Sequence, residues 1–434
     1  MSETIEAFDP GLAESLYGLV QELYPLCRSI TGDGVRETLR VIGRRLPIEV
    51  HEVPSGTPVL DWTVPREWNI RDAYVKNAAG ERVIDFRAHN LHVLNYSVPV
   101  HARMSLEALR EHLHTLPEQP DWIPYRTSYY AENWGFCLSE NQLRSLPEGE
   151  YEVLIDSSLE PGSLTYGELF LPGEQEEEIL FSTHVCHPSL CNDNLSGISL
   201  AVHLARALSD SRRRYSYRFL FIPGTIGSIS WLARNRETVP RIAHGLTLVC
   251  LGDRSKLTYK KTFGGDQAID RVVPHVLSER GEDFDVIDFF PYGYDERQFN
   301  SPGFRMPIGS LMRGRHGEFP EYHTSADDLA FVSREKLADS FDVCRRIVDV
   351  LEGNRRYRSL SPWGEPQLGK RGIYKALGGD RSPGELQMAI LWLLACADGE
   401  HDLLAVARRS GMEFDLLRRA ADLLIAHDLI EAVD

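Results

Sequence analysis

Ile179-Leu180-Phe181-Ser182-Thr183-His184-Val185-Cys186-His187-Pro188-Ser189-Leu190-Cys191-Asn192-Asp193-Asn194-Leu195-Ser196-Gly197 decides the reading of this chain. A short apolar run ends in two histidines, and a polar loop then carries an aspartate to the start of a helical pattern. A strand, loop and helix in that order deliver side chains to the carboxyl end of a sheet, where crevices form in open α/β folds. Imidazole nitrogen and carboxylate oxygen are both good zinc donors, and a catalytic zinc typically keeps three protein ligands and one open position. Each residue alone has an ordinary alternative. His184 or His187 reads equally as a hydrogen-bonded core histidine, and Asp193 as a helix cap ahead of Leu195.

Around this stretch, strands and helices alternate. A helix is predicted from Ser196 to Leu208, a strand at Arg218–Ile222, a helix near Ser228–Asn235 and an apolar run at Leu246–Leu251. Such alternation predicts an α/β sheet covered on both faces and at least partly parallel. Upstream, Leu12, Leu16, Leu19, Val20 and Leu23 have helical spacing, and a second helix is predicted over Val35–Leu46, after the turn Thr31-Gly32-Asp33-Gly34. Residues 53–173 are aromatic-rich and β-like, which reads as an inserted mostly-β domain in an α/β domain made of 1–52 and 174–358. After the linker-like Ser361–Pro366, helices are predicted at Ser382–Ala397, Asp402–Arg409 and Phe414–His427, so residues 359–434 form a further domain with helix-turn-helix spacing.

A second motif adds to the first: Gly317-Glu318-Phe319-Pro320-Glu321-Tyr322-His323-Thr324-Ser325-Ala326-Asp327-Asp328-Leu329. His323 lies in a polar loop before a helix predicted at Ser333–Leu351, a poor place for a residue that only fills a core. Asp253, after the strand that ends at Leu251, reads either as a carboxylate ligand or as a turn aspartate paired with an arginine. Asp295 and Glu296 form an acidic pair that suits a ligand, a base, a hook for a substrate amino group or a solvated loop. Cys186 reads as a buried thiol more readily than as a soft ligand.

The strand-end histidine, the Asn-Asp-Asn-x-Ser-Gly loop and the Tyr-His-Thr-x-x-Asp-Asp-Leu loop together are similar to the co-catalytic zinc aminopeptidases and carboxypeptidases. More closely, the chain resembles a bacterial family of aminopeptidase-like proteins, found beside polysaccharide or natural-product genes, with an inserted β domain and a C-terminal winged helix. Asp61-Trp62-Thr63-Val64-Pro65, Glu67-Trp68-Asn69-Ile70, Cys186-His187-Pro188-Ser189, Asp295-Glu296-Arg297-Gln298 and Ser301-Pro302-Gly303-Phe304 carry that resemblance. It implies a zinc-exopeptidase-like, mixed and largely parallel sheet, with one zinc ion or two. Asp193 takes the place of the metal-bridging aspartate and His323 that of the late histidine. His187 is favoured as the early ligand over His184, and Asp253 takes roughly the place of a further carboxylate ligand.

One departure stands out. The related exopeptidases carry a carboxylate pair after the next strand, a general base and a ligand, and the closer family keeps a glutamate in Pro-Glu-Thr-Ile-Gly-Ser. Here the stretch is Pro223-Gly224-Thr225-Ile226-Gly227-Ser228. A glycine side chain neither binds metal nor moves a proton. Glu296 and Glu321 are therefore the candidate bases, with Glu318 a further carboxylate nearby. Arg297 and Arg313 are the candidate clamps for a substrate carboxylate, and Asp295 the candidate hook for an amino group. The expected activity is hydrolysis of an amide bond in a small peptide or aminoacyl metabolite by metal-activated water. The alternative is a metal-binding scaffold without catalysis in a biosynthetic assembly. Trp62, Trp68, Tyr129, Tyr130 and Trp134 read as core of the β insertion before they read as a wall of the crevice.

Composition bounds the partners. The formal charge of −17 over 434 residues repels phosphate backbones and anionic membranes. In the last domain, acidic residues outnumber Lys and Arg, and the final helix offers only Arg418-Arg419, so a protein partner or a second copy is expected there and nucleic acid is not. The acidic Met-Ser-Glu-Thr-Ile-Glu start and seven scattered cysteines without a CxxC pair predict a cytoplasmic protein with reduced thiols.

Overall fold

The computed structural model describes residues 9–373 and 383–433. They divide into two compact units, Met1–Cys344 and Arg345–Asp434. In the first, helix α1 (Pro10–Leu23) starts where the Asp9 carboxylate accepts from Gly11 and Leu12 N–H, and it buries Leu16, Leu19, Val20 and Leu23. Helix α2 (Asp33–Gly43) follows Gly32, whose φ of +90° and closeness to the Trp68 carbonyl (2.1 Å from an added Cβ) leave room for no side chain.

Strand β1 (Glu49–Pro54) opens the large sheet. The chain then leaves it to build β2 (Glu67–Lys76), β3 (Arg82–Asp85), β4 (Val100–Ser105) and β5 (Glu150–Glu160), a four-stranded antiparallel sheet in the order β3-β2-β5-β4. It returns in β6 (Ser163–Leu171), which pairs antiparallel with β1 from Glu49↔Glu168 to Pro54↔Ser163. Ser55 N donates to the Gly162 carbonyl at 2.8 Å, closing the neck. The insertion is thus 55–162. The predicted 53–173 took in β6, which belongs to the large sheet and is buried without a break from Leu164 to Leu169.

The rest of the large sheet is β7 (Glu178–His184), β8 (Ser216–Ile222), β9 (Ile242–Leu248), β10 (Leu257–Lys260), β11 (Phe284–Ile287) and β12 (Ile308–Met312), in the order β1-β6-β8-β7-β9-β12-β10-β11. β8, β7, β9 and β12 are mutually parallel, and the outer pairings β1/β6, β6/β8 and β10/β12 are antiparallel. All seven residues of β7 are buried, as a central strand covered on both faces requires. Helices α3 (Gly197–Ser209), α4 (Ile226–Arg234) and α5 (Ala268–Glu279) connect the strands. The predicted helices at 196–208 and 228–235 lie within two residues of α3 and α4. The apolar run 246–251 is the end of β9 and the turn beyond it, not a whole strand.

The second unit holds β13 (Arg356–Ser359), α6 (Pro383–Cys396), β14 (Asp398–Asp402), α7 (Leu403–Ser410), α8 (Phe414–Ala426) and β15 (Ile430–Ala432). Its sheet runs β14-β13-β15. Asp402 caps α7 through Ala405 N–H, and Gly411 ends it in the left-handed region. The predicted boundary after Arg358 cuts through β13, which supplies this unit's central strand. The predicted start of the first C-terminal helix, Ser382, lies outside the described residues. Among the described residues no helix is long and apolar enough to cross a membrane.

Candidate metal centre

His184 ends β7, and the chain passes through Cys186 and His187 into an irregular loop, Cys191–Ser196, that precedes α3. This loop is fixed from several sides. Asn192 and Asp193 N–H donate to the two oxygens of the buried Asp327 at 2.6 and 2.9 Å. Asn194 Nδ2 donates to Thr183 Oγ1 (2.8 Å) and the Leu248 carbonyl (3.0 Å). The Asp193 carboxylate caps no helix: α3 has no side-chain cap bond, and the carboxylate faces histidines instead.

Three imidazoles converge on that carboxylate. His184 Nε2 is 2.8 Å from Oδ1, His323 Nε2 is 3.0 Å from Oδ2, and His187 Nε2 is 3.8 Å from Oδ2. The donor atoms of His184, His187 and Asp193 all lie within 4.8 Å of one another. A tetrahedral zinc about 2.0–2.1 Å from each donor would set them about 3.3–3.4 Å apart, so the spacing fits a shared ion. The protonation states fit too. Burial drives His187 well below its ordinary range, leaving a neutral imidazole with a free lone pair. Burial opposes charge on Asp193, yet His187, His184 and His323 hold its pKa well below the usual carboxylate range. Tyr125 stands 5.1 Å, centroid to centroid, from both His187 and His323, and Tyr322 stacks on His323 at 3.9 Å. Behind them, buried Arg28 donates from Nε to the His187 carbonyl at 2.8 Å. Burial pulls Arg28 down to about 10, which still leaves it charged at neutral pH.

Position 224 explains the missing carboxylate sterically. A Cβ on Gly224 would stand 1.9 Å from Tyr294 Cε1; the phenol ring occupies the volume a side chain would need. Tyr294 donates to the Gly224 carbonyl at 3.0 Å, and its hydroxyl lies 3.0 Å from Cys186 Sγ. Its ring packs 4.1 Å from that of His184. Burial pushes the Cys186 thiol up to about 12, which favours the protonated thiol, and its Sγ stands outside the donor group of His184, His187 and Asp193.

The other predicted residues separate. Asp253 accepts from Asn192 Nδ2 (2.7 Å) and Gly314 N–H (2.9 Å), which makes it a brace for the loop. Asp295 is buried beside Ser228 (2.7 Å), and burial lifts it to about 6. Glu296 is buried in an ion pair with Lys260 at 2.7 Å, and neither it, Glu318 nor Glu321 lines the cleft at the histidines. Arg313 is consumed by Asp339, Ser340 Oγ and the Ser255 carbonyl, and it does not line the cleft. Arg297 does. The aromatics split: Trp68 is core at 2% exposure, whereas Trp62 (46%) and Tyr130 (52%) stand open on the cleft wall with Tyr129, and Trp134 stacks on His112. The reading from sequence missed Tyr294 and Arg126 in the cleft and the brace from Asp327; the acid in Ser325-Ala326-Asp327-Asp328 was the available signal for the last.

A family described as a domain of unknown function, DUF4910, matches residues 17–354. This chain belongs to that family. A winged helix-turn-helix matches residues 355–432. A Clostridium acetobutylicum relative, named for polysaccharide biosynthesis and an aminopeptidase-like domain, is 53% identical over 418 residues, 96% of each chain. A crystal structure from the same organism, titled as that of a peptidase, shares 52% identity and a TM-score of 0.92 over 97% of this chain and 96% of that one. BSAP, a zinc aminopeptidase from Bacillus subtilis, is 13% identical with a TM-score of 0.55, over 77% of this chain and 94% of its own. That last likeness is one of fold. This DUF4910 chain therefore has an aminopeptidase-like α/β fold and a C-terminal winged helix.

Proposed function

We propose that this chain is a zinc-dependent hydrolase of an amide bond in a small peptide or aminoacyl metabolite. What carries the reading is the convergence of His184, His187 and His323 on the Asp193 carboxylate at the wall of a cleft of about 400 Å³. A zinc ion held by this set would supply Lewis acidity, polarising an amide carbonyl and acidifying water. Asp193 gives the negative charge that holds the ion, and Asp327 and Asp253 hold the loop that presents it. His323, a third exposed at its side chain, faces the substrate side. Tyr294 and Tyr125 exclude water from the inner face. The name of the Clostridium relative supports a place in a biosynthetic route.

A second reading rests on its own observation. Because the Tyr294 ring fills the place of a carboxylate at 224 and, among the described residues, no Asp or Glu lines the cleft, the chain also fits a metal-binding scaffold without catalysis. Metal content measured together with turnover of an acyl- and aminoacyl-amide panel separates the two. Zinc with chelator-sensitive turnover supports the hydrolase; zinc without turnover across the panel sinks it.

For the winged helix we propose a protein partner or a second copy. Between 355 and 432 the two signs of charge balance at eleven each, since Arg355, Arg356 and Arg358 join this unit. Asp415 engages Arg418 at 3.2 Å on the last helix, which removes one of its two cations from reach of a phosphate. Absence of salt-dependent DNA binding is the expected result.

A further inference from the structure

An aminopeptidase substrate presents a free ammonium near the scissile bond, and an ammonium inside a cleft requires a carboxylate to meet it. Among the described residues none lines the cleft at His187 and His323; the Asp193 carboxylate stands behind these imidazoles, 1% exposed. The cleft lining includes two guanidinium groups, Arg126 and Arg297, and no Asp or Glu. The chain carries a net charge of −17, so an acid-free cleft runs against the whole composition. Among the described residues neither arginine forms a close ion pair: the buried Asp295 carboxylate feels the charge of Arg297 without contacting it, and Glu132, two residues from Tyr130, is held by Arg66. Arg28, buried behind His187, adds a third positive charge, and its Nη2 has no partner. Arg297 follows Asp295 on the wall that bears Tyr294, and Arg126 comes from the β insertion, so the two cations reach the cleft from different parts of the fold.

Beside them stand Trp62 and Tyr130, both about half exposed, with ring centroids 5.3 Å apart. Exposed aromatic rings on a cleft wall next to arginines suit a planar ring or the apolar face of a sugar, with an anion held alongside.

We propose that the cleft takes an anionic, ring-bearing amide, its carboxylate or phosphate held by Arg126 and Arg297 and its ring by Trp62 and Tyr130, in place of a peptide with a free amino terminus. The inference rests on the reading of this cleft as the substrate site of an amide hydrolase. It turns that reading from an aminopeptidase toward a hydrolase of N-acylated acids.

The test uses the full-length chain and isothermal titration calorimetry with four probes of similar shape: N-benzoylglycine, its neutral carboxamide, glycine anilide with a free ammonium, and N-benzoylaminomethylphosphonate. The carboxylate is expected to bind at least about 10-fold more tightly than the carboxamide, and the ammonium compound most weakly. The phosphonate tells whether the natural anion is carboxylate or phosphate: tighter binding than the carboxylate assigns phosphate, weaker assigns carboxylate. In R126Q/R297Q, with an unchanged thermal melt, carboxylate and carboxamide are expected to bind within about 2-fold of each other. An anion preference that survives in that variant overturns the assignment, since the anion would then be bound by a metal alone. Equal binding of carboxylate and carboxamide, preference for the ammonium, or no binding of any probe at millimolar concentration also overturns it. Turnover of the same probes is read separately: anion preference without turnover sinks the hydrolase reading and leaves the binding assignment standing.

Discussion

Substituting Gly224 with alanine adds one methyl group where the Tyr294 ring already stands. The new Cβ would lie 1.9, 2.6 and 2.7 Å from Cε1, Cζ and Cδ1 of that ring, too close for adjustments of a few tenths of an ångström. The ring must swing away. Overpacking of this kind costs about 1–3 kcal/mol. The swing also breaks the hydroxyl's bond to the Gly224 carbonyl, worth about 0.5–1.5 kcal/mol. The expected loss is therefore about 1.5–4.5 kcal/mol. Urea unfolding followed by tryptophan fluorescence reads it, since Trp68 and Trp231 are both buried in this unit. The decisive comparison is a double-mutant cycle. With Tyr294→Ala in place the ring is gone, and Gly224→Ala should then cost less than about 0.5 kcal/mol. An equal cost in both backgrounds would show that Tyr294 does not fill the vacant side-chain position. By the same geometry, Gly224→Glu alone should damage the fold, and a gain of hydrolysis is expected only in Gly224→Glu/Tyr294→Ala.

Three further outcomes follow from the centre and its surroundings. Asp193→Asn removes the negative charge on which three imidazoles converge, so zinc retained after dialysis, measured by plasma mass spectrometry, should fall to near zero; full retention refutes the assigned ligand set. Asp327→Ala strands the Asn192 and Asp193 N–H groups in the interior, which should cost about 2–5 kcal/mol and weaken metal binding about 10–100-fold; a metal affinity unchanged in the folded variant contradicts its bracing role. Burial pushes His244 down to about 4, below its unfolded value of ~6.5. The unfolded state thus binds more protons between these values, so the contribution is complete above ~6.5 and is lost as pH falls toward 4. His244→Gln should remove about 1–3 kcal/mol of the pH 7-to-4 difference in unfolding free energy, and an unaltered slope argues against a buried neutral imidazole.

Sequence alone determined much of the frame. The apolar Ile179-Leu180-Phe181, followed by the small polar Ser182 and Thr183, specifies a strand into His184; all seven of its residues are buried, as in a strand covered on both faces. The helical spacing of Leu16, Leu19, Val20 and Leu23 specifies α1, and the two histidine-bearing motifs specify a metal-type cluster. These are local patterns, and secondary structure responds to local patterns. What depends on side chains meeting across the chain was decided only by tertiary structure. His184 and His187 read as rivals for one ligand position, yet the fold turns both toward Asp193. Glu296 and Arg313 read as catalytic and substrate groups, yet Lys260 and Asp339 neutralise them within the body of the protein. Trp62 and Trp68 lie six residues apart in similar sequence, but one stands on a two-residue ribbon at the cleft and the other is buried in β2. Gly224 is visible in the sequence as an absence. That a tyrosine 70 residues away occupies its space is a matter of volume and approach in three dimensions, which no pattern of neighbours along the chain encodes.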